Sequence, residues 1–397
     1  MNFQMFTPTR LLFGKGSLNS LHDCILKNTN FSGKKALLVI SNGKSAKENG
    51  NLDKTKQELQ KAGIQWVLFD KIEASPMKST VMEGGKLAKE QQCELIVALG
   101  GGSVLDASKC IAVVGANEGD LWDYISVGSG KGMELKEKPL PVIAITTTAG
   151  TGSEVDPWGA VTNEDTNEKI GYGTDEMYPI IAVVDPELML TVPPLFTAYQ
   201  GFDAMFHSIE GYISKGANFM SDMYAETAIK NISENLVNTI INGKNIEARE
   251  AVAFGNTLSG YVMKLSGGTC QHSLENAMSA FYPALPHGAG LLMICKAYFR
   301  NRIENHICDS RFLKMAEIIG QPLGIKAERP EDFLQILDEL MEKCGVTNLR
   351  MSDYGIKKSD FVDFIKNAHE TMGDLFFNER KEISDEECIQ IYEQSFL

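Results

Sequence analysis

Asp203 and His207 stand four residues apart in GFDAMFHSIEGY, a spacing that puts both side chains on one face of a helix. His272 follows the Gly267-Gly268 pair, and His287 lies between Pro286 and Gly288. The chain has six histidines in 397 residues, and three of them belong to this constellation. One carboxylate and three imidazoles make a ligand set for a divalent transition metal, whose chemistry is Lewis-acid polarisation of an oxygen atom. Taken singly, each histidine is as well explained as a surface or core group. His22, His306 and His369 have no supporting context and keep that plain reading.

A second kind of chemistry is written in small residues. VALGGGSVLDASK (Val97–Lys109) sets Gly100, Gly101, Gly102 and Ser103 after an apolar run and before a helical one. Backbone without Cβ atoms can approach a phosphate, and a helix N-terminus favours an anion. The spacing is not the usual dinucleotide-binding fingerprint. TTTAGTGSE (Thr146–Glu154) repeats the arrangement after another apolar run, with Thr147 and Thr148 at its start. A third loop, Asn42, Gly43, Lys44 and Ser45, follows the first strand. An acidic residue in such a place would bind a ribose 2′-hydroxyl and repel a 2′-phosphate. None is present, and Lys44 adds a positive charge, which favours NADP(H) over NAD(H).

The elements that must position these residues are legible from apolar periodicity. Strands are expected at Ala36–Ser41, Gln65–Asp70, Glu94–Leu99, Pro141–Thr146 and Ile181–Asp185, with helices at Gly50–Ala62 and Thr80–Gln92 between them. This alternation argues for a parallel sheet covered on both faces. Beyond the prolines of TVPPLF the pattern is helical, with examples at Gly201–Ser214, Met220–Ile241, Ala248–Leu265, Gln271–Ala280 and Arg311–Ile319. The expected organisation is an α/β dinucleotide-binding domain over 1–190 and an all-α domain over 191–397. A net charge of −14 argues against non-specific binding to nucleic acid or an anionic membrane. Eight scattered cysteines without a Cys-x-x-Cys pair, and no signal-like N-terminus, point to a reduced, cytoplasmic protein. No run has the length of a membrane span.

GGGSVLDASK, TTTAGTGSE, VVDPELMLTVPP, GFDAMFHSIEGYIS and HSLENAMSAFYPALPHG resemble, in order, the motifs of the iron-containing (group III) alcohol dehydrogenases. The resemblance extends over essentially the whole chain, including the opening FTPTRLLFGKGSL. It implies the dehydroquinate synthase-like architecture, with the metal in a cleft between the α/β and helical domains. It implies Asp203, His207, His272 and His287 as ligands, the 100–103 loop at the cofactor pyrophosphate, and Thr147 and Thr148 against the cofactor. Lys169 matches a lysine common near that cleft, without an assignable role. One departure stands out. Many relatives carry a second histidine four residues after the third ligand, where this chain has Asn276. An amide on the His272 face can hydrogen-bond but cannot carry a proton near neutral pH. Proton exit is then expected through a cofactor ribose hydroxyl and water.

The reaction expected is hydride transfer between NADP(H) and a small alcohol or aldehyde, such as butanol or a diol. Four protein ligands plus substrate exceed four-coordination, which favours Fe²⁺ with Zn²⁺ as the alternative. Trp158 and Phe254 are candidate apolar walls for the substrate. Competing readings are an NAD(H)-dependent diol or lactaldehyde reductase of the same family and, more remotely, a dehydroquinate synthase-like lyase or a non-catalytic scaffold. The lyase needs a basic cluster that the motifs lack, and the scaffold needs no intact ligand set. A homodimer or larger homo-oligomer is expected from the family, with Phe6–Phe13 either an intersubunit strand or part of its own sheet.

Overall fold

The computed structural model describes residues 3–397. It divides into two compact units, one of Phe6–Thr148 with Ser153–Thr191, the other of residues 3–5, Ala149–Gly152 and Val192–Leu397.

The first unit is built on β1 (Arg10–Phe13), β2 (Lys35–Ser41), β3 (Gln65–Ile72), β4 (Leu95–Gly100), β5 (Val142–Thr146) and β8 (Ile181–Val184). These form one sheet in the order β1-β8-β5-β4-β2-β3, with every pair parallel. All five expected strands form. Their runs are apolar without polar alternation because both faces are covered. Leu37, Val39, Ile96, Ala98, Val142 and Ala144 enter one core, while Ala36, Leu38, Leu95, Val97, Ile143 and Ile145 enter the other. That is the period of two expected of a strand buried on both sides. Helices α1 (Leu21–Asn28), α2 (Ser45–Glu48), α3 (Asn51–Lys61), α4 (Lys78–Glu90) and α5 (Gly102–Ala116) supply the covering layers. The opening segment pairs within its own sheet, Arg10–Phe13 lying parallel to Ile181–Val184.

Strand order reverses between β2 and β4, since the chain runs from β2 outward to β3 and then back to β4. The carboxyl ends of strands at such a switch are where open α/β sheets bind ligands. One element escapes the sequence reading. β6 (Gly159–Asn163) and β7 (Glu168–Tyr172) form an antiparallel hairpin. Its turn closes through Asn167 at φ 54°, a left-handed conformation that asparagine tolerates.

The second unit is helical: α6 (Pro194–Ile213), α7 (Phe219–Ile241), α8 (Ile246–Ser266), α9 (Cys270–Phe281), α10 (His287–Glu304), α11 (Asp309–Leu323), α12 (Asp332–Lys343), α13 (Phe361–Phe377) and α14 (Asp385–Ser395). α6 begins seven residues before the expected Gly201. Pro193 is its N-cap and Pro194 its first residue. A proline at that position starts a helix, because its missing N–H has no partner to lose. α6 is buried on all sides from Thr197 to Ile213 except Gln200, and α9 from Cys270 to Ala280. α6 packs on α7, α8 and α10, and α9 packs on α10 and α13, so both are central elements. Among the described residues no helix is long and apolar enough to cross a membrane.

Candidate metal centre and cofactor loops

α6, α9 and the start of α10 bring the four expected ligands together. Asp203 and His207 sit one turn apart on α6, and His272 is the third residue of α9. His287, between Pro286 and Gly288, is the first residue of α10, with Pro286 as N-cap. Asp203 Oδ1 lies 3.5 Å from His207 Nδ1, 3.5 Å from His272 Nε2 and 3.5 Å from His287 Nε2. The rings of His207 and His272 stack at 4.2 Å between centroids. Asp203 Oδ1, His207 Nδ1 and His272 Nε2 are all buried and find no hydrogen-bond partner in the protein. Orphaned buried polar atoms are costly. Three that converge on one point fit a cation they would share, and among the described residues Asp203, His207 and His272 form a group whose donor atoms all lie within 4.8 Å of one another.

Two carboxylates outside this set orient it. Glu210 Oε1 accepts from His272 Nδ1 at 2.5 Å, and Glu275 Oε2 accepts from His287 Nδ1. Each bond commits Nδ1 and turns the Nε2 lone pair toward Asp203, the arrangement that fixes a metal-binding imidazole. His207 is held differently, by a hydrogen bond to the Gly150 backbone. Sequence reading missed Glu210 and Glu275. The signal was available: Glu210 follows His207 by three residues and Glu275 follows His272 by three, each on the helix face of one expected ligand while it bonds the next, His272 and His287 respectively. Space for Glu275 is kept by Gly290, where a Cβ would fall 2.6 Å from Glu275 Oε1.

These carboxylates change the charge of the centre. With a divalent ion bound, Asp203 alone would leave the centre near +1, and Glu210 and Glu275, both fully buried, would bring the formal charge near −1. Without an ion, the proton affinities follow the carboxylates and imidazoles themselves. Burial opposes charge on Asp203, but His207 and His287 outweigh it and hold its carboxyl well below the usual range. Burial, with His272 beside it, pushes His207 down to about 3. His272 is also buried, yet Glu210 and Asp203 push it up to about 10.

In the first unit, the expected cofactor residues lie at the carboxyl ends of β2, β4 and β5. Asn42, Gly43, Lys44 and Ser45 are exposed after β2. Gly100 ends β4, and Gly102 and Ser103 open α5, a helix of fifteen residues. The loop after β5 closes against this turn: Thr147 N–H donates to the Gly100 carbonyl at 2.9 Å. A Cβ on Gly101 would lie 2.9 Å from Thr148 Oγ1. Glycine there lets the two loops touch.

A buried polar network ties the same two motifs together. Lys109 Nζ, fully buried, donates to Ser153 Oγ at 2.8 Å, Asp156 Oδ1 at 2.9 Å and the Trp158 carbonyl at 2.7 Å. Ser153 Oγ donates to Asp106 Oδ1 at 2.5 Å, and Asp106 Oδ2 accepts from Ala160 N–H. Burial pushes the Asp106 carboxyl up to about 6 against the pull of Lys109. Asp106 and Lys109 are the charged residues of GGGSVLDASK, which the sequence reading passed over.

The chain matches the family model described as iron-containing alcohol dehydrogenase over residues 8–186, and the C-terminal model of the Fe-containing alcohol dehydrogenase family over 197–396. It belongs to the iron-containing alcohol dehydrogenase family. It is 32% identical to 1,3-propanediol dehydrogenase of Klebsiella pneumoniae over the whole of both chains. It is also 32% identical to NAD-dependent methanol dehydrogenase of Bacillus methanolicus, covering 92% of this chain and 93% of that one. A solved alcohol dehydrogenase from an archaeal halo-thermophilic source in a Red Sea brine pool superposes with a TM-score of 0.91 at 30% identity, covering 100% of this chain and 99% of that one.

Within this dehydrogenase, Asn276 is buried one turn beyond His272, and its Nδ2 donates to Met372 Sδ at 2.8 Å. Met372 sits at a break in α13 (φ −141°, ψ 42°), and its carbonyl accepts from Ser273 Oγ at 2.6 Å. One of the two amide N–H groups is thus spent on a thioether. Lys169 is buried on β7 opposite Thr162. Trp158 is half-buried after the second loop, and Phe254 is 39% exposed on α8. His22, His306 and His369 each pair with a carboxylate, from Glu58, Asp309 and Asp385, away from the ligand set.

Proposed function

We propose that this alcohol dehydrogenase reversibly transfers a hydride between NADP(H) and a small aliphatic alcohol or diol and its aldehyde, with Fe²⁺ held by Asp203, His207, His272 and His287. The observation that carries the reading is the convergence of the buried, unpartnered His207 Nδ1 and His272 Nε2 on Asp203 Oδ1, each at 3.5 Å, with His287 Nε2 at the same distance. When bound, a divalent ion supplies Lewis-acid polarisation of the substrate oxygen, and the nicotinamide supplies or takes the hydride. The chain's residues then have separable tasks. Asp203 contributes the anionic donor. Glu210 and Glu275 hold two imidazoles in the binding tautomer. Asn276, engaged by Met372, carries no proton, so the proton leaves by water or a cofactor hydroxyl. The family relationship supports iron, and four protein donors with room for substrate suit Fe²⁺ better than Zn²⁺. Metal analysis after anaerobic purification tests this, and stoichiometric zinc with full activity would reject iron.

Support for NADP(H) comes from the exposed Asn42–Ser45 loop, which has a lysine and no acid. The competing reading, NAD(H), is favoured by the relationship to a methanol dehydrogenase named as NAD-dependent. Oxidation of NADPH and NADH followed at 340 nm with butanal and a panel of aldehydes, with and without added Fe²⁺, decides between them. A metal-dependent rate with NADPH preferred is expected. Preference for NADH would overturn the cofactor assignment, and no turnover by metal-loaded protein would overturn the enzymatic one. The absence of disulfides among eight thiols, seven of them buried, supports a reducing compartment. A homo-oligomeric state is the family expectation, open to test by light scattering.

A further inference from the structure

Behind His272 the structure holds a buried polar chain that the metal-ligand set does not explain. Glu210 spends Oε1 on His272 and uses Oε2 to accept Thr269 N–H at 2.9 Å and Thr269 Oγ1 at 3.1 Å. Tyr298 Oη lies 2.8 Å from Thr269 Oγ1 and 2.6 Å from Glu379 Oε1. Glu379 Oε1 also accepts the N–H of Cys270, the first residue of the helix that carries His272, at 3.2 Å. Glu379 Oε2 is paired with Arg302 Nη1 at 3.3 Å, and Arg302 further donates to the Lys381 carbonyl at 3.2 Å. Arg302 and Tyr298 are fully buried, and Glu379 is only 3% exposed.

Burying an arginine, a glutamate and a tyrosine hydroxyl is expensive, and hydrophobic residues of like volume often serve stability as well or better. The contacts made by this group are specific. Glu379 grips the N-terminus of α9, where a carboxylate also complements the helix dipole. Thr269 reaches the oxygen of Glu210 that His272 leaves free, and Tyr298 reaches Thr269. One hub therefore fixes both the helix that presents His272 and the carboxylate that sets its tautomer. We infer that Tyr298, with Glu379 and Arg302, is a positioning unit for the metal centre, acting on His272 through Thr269 and Glu210. The hydroxyl of Tyr298 is the joint between the two halves of the chain. Its ring packs edge-on against neighbouring Phe299, which accounts for the aromatic residue but not for the hydroxyl.

The inference rests on the ligand assignment proposed above, and its test separates the two. Wild type, Tyr298→Phe, Thr269→Val and the double variant are stripped of metal and loaded with Co²⁺. The visible absorption of each is recorded, and Co²⁺ loss to excess EDTA is timed. Groups one layer beyond the ligands change metal affinity by about 10–100-fold, and one link further out the expected effect of Tyr298→Phe is about three- to tenfold faster release. A shifted Co²⁺ spectrum should accompany it. The double variant should lose little more than Thr269→Val alone, because both act on one chain. Wild-type release and spectrum in Tyr298→Phe, or fully multiplicative losses in the double variant, would overturn the positioning role. If Tyr298→Phe does not fold, Thr269→Val carries the same expectation and the same failure. Wild-type protein that takes up no stoichiometric Co²⁺ would sink the ligand assignment itself.

Discussion

In the helical unit the chemistry is carried by side chains that are buried and held from behind. In the sheet unit Asn42–Ser45, Gly101, Ser103, Thr147 and Thr148, at the ends of β2, β4 and β5, are exposed or half-buried. His272 and His287 each lean on a buried glutamate, and Asp203 is buried among imidazoles. Lys44, by contrast, stands exposed at the end of β2. The sheet unit keeps its buried polar chemistry one layer back, in Asp106, Lys109, Ser153 and Asp156, where it joins two loops. A buried ion needs fixed donors and compensating charge, because nothing else solvates it. An extended anionic ligand at a sheet edge needs a helix N-terminus and clearance for its phosphates. The two regions solve different electrostatic problems, and substitutions in them should fail differently.

The largest contrast comes from removing a core group in each region. Asp203→Ala deletes the one anionic donor to which all three imidazoles converge, and metal affinity should fall by more than the roughly 100-fold upper range for groups one layer out. Equilibrium dialysis with Co²⁺ measures it, and near-normal uptake would remove Asp203 from the ligand set. Lys109→Met leaves Asp156 and Asp106 buried without their cation. The expected loss is about 3–5 kcal/mol of stability, the range for breaking a buried pair from one side. Urea unfolding reads it directly. A loss under about 1 kcal/mol would mean that the network contributes little to holding the two loops together.

How much of this was legible in the sequence follows from the same contrast. The four residues of the proposed ligand set stood out because histidine is scarce here and because Asp203 and His207 obey helical spacing. The strands were found because residues buried on both faces write continuous apolar runs, as in KALLVIS and LIVALG. Glu210 and Glu275 were missed because a glutamate on a helix is ordinarily a solvated surface residue. Only the packing of α6, α9 and α10 shows that these two are buried. Lys109 was missed for the same reason, since its partners lie forty-four or more residues away. The prolines at 193 and 194 marked where the helical pattern begins, but that Pro194 itself opens α6 is a position-dependent meaning that composition alone does not carry. The Asn276 amide was expected at the active site, while its partner is a thioether ninety-six residues downstream.

A finer contrast sets a supporting residue against its ligand. Glu275→Gln keeps the shape that fills the space beside Gly290 but removes the charge that holds His287 Nδ1–H. Metal affinity should drop by about 10–100-fold, less than for Asp203→Ala. A drop equal to that of Asp203→Ala would mean that the buried carboxylates act as one indivisible charge rather than as ligand and support. No drop would mean that His287 needs no orienting partner.

The smallest expected effect belongs to the exposed loop. Lys44 is solvated, so its attraction for a 2′-phosphate is screened and shares the scale of surface ion pairs, about 1 kcal/mol at most. Lys44→Ala should then raise the KM for NADPH by roughly fivefold and leave that for NADH unchanged. The effect should shrink as salt is added, because the interaction is exposed. Raising both KM values alike would show that Lys44 shapes the loop rather than reads the phosphate. Raising neither would place cofactor discrimination elsewhere on the sheet edge. A loss well beyond tenfold would require Lys44 to be desolvated when the cofactor binds, and the exposed loop would then have to close over its ligand.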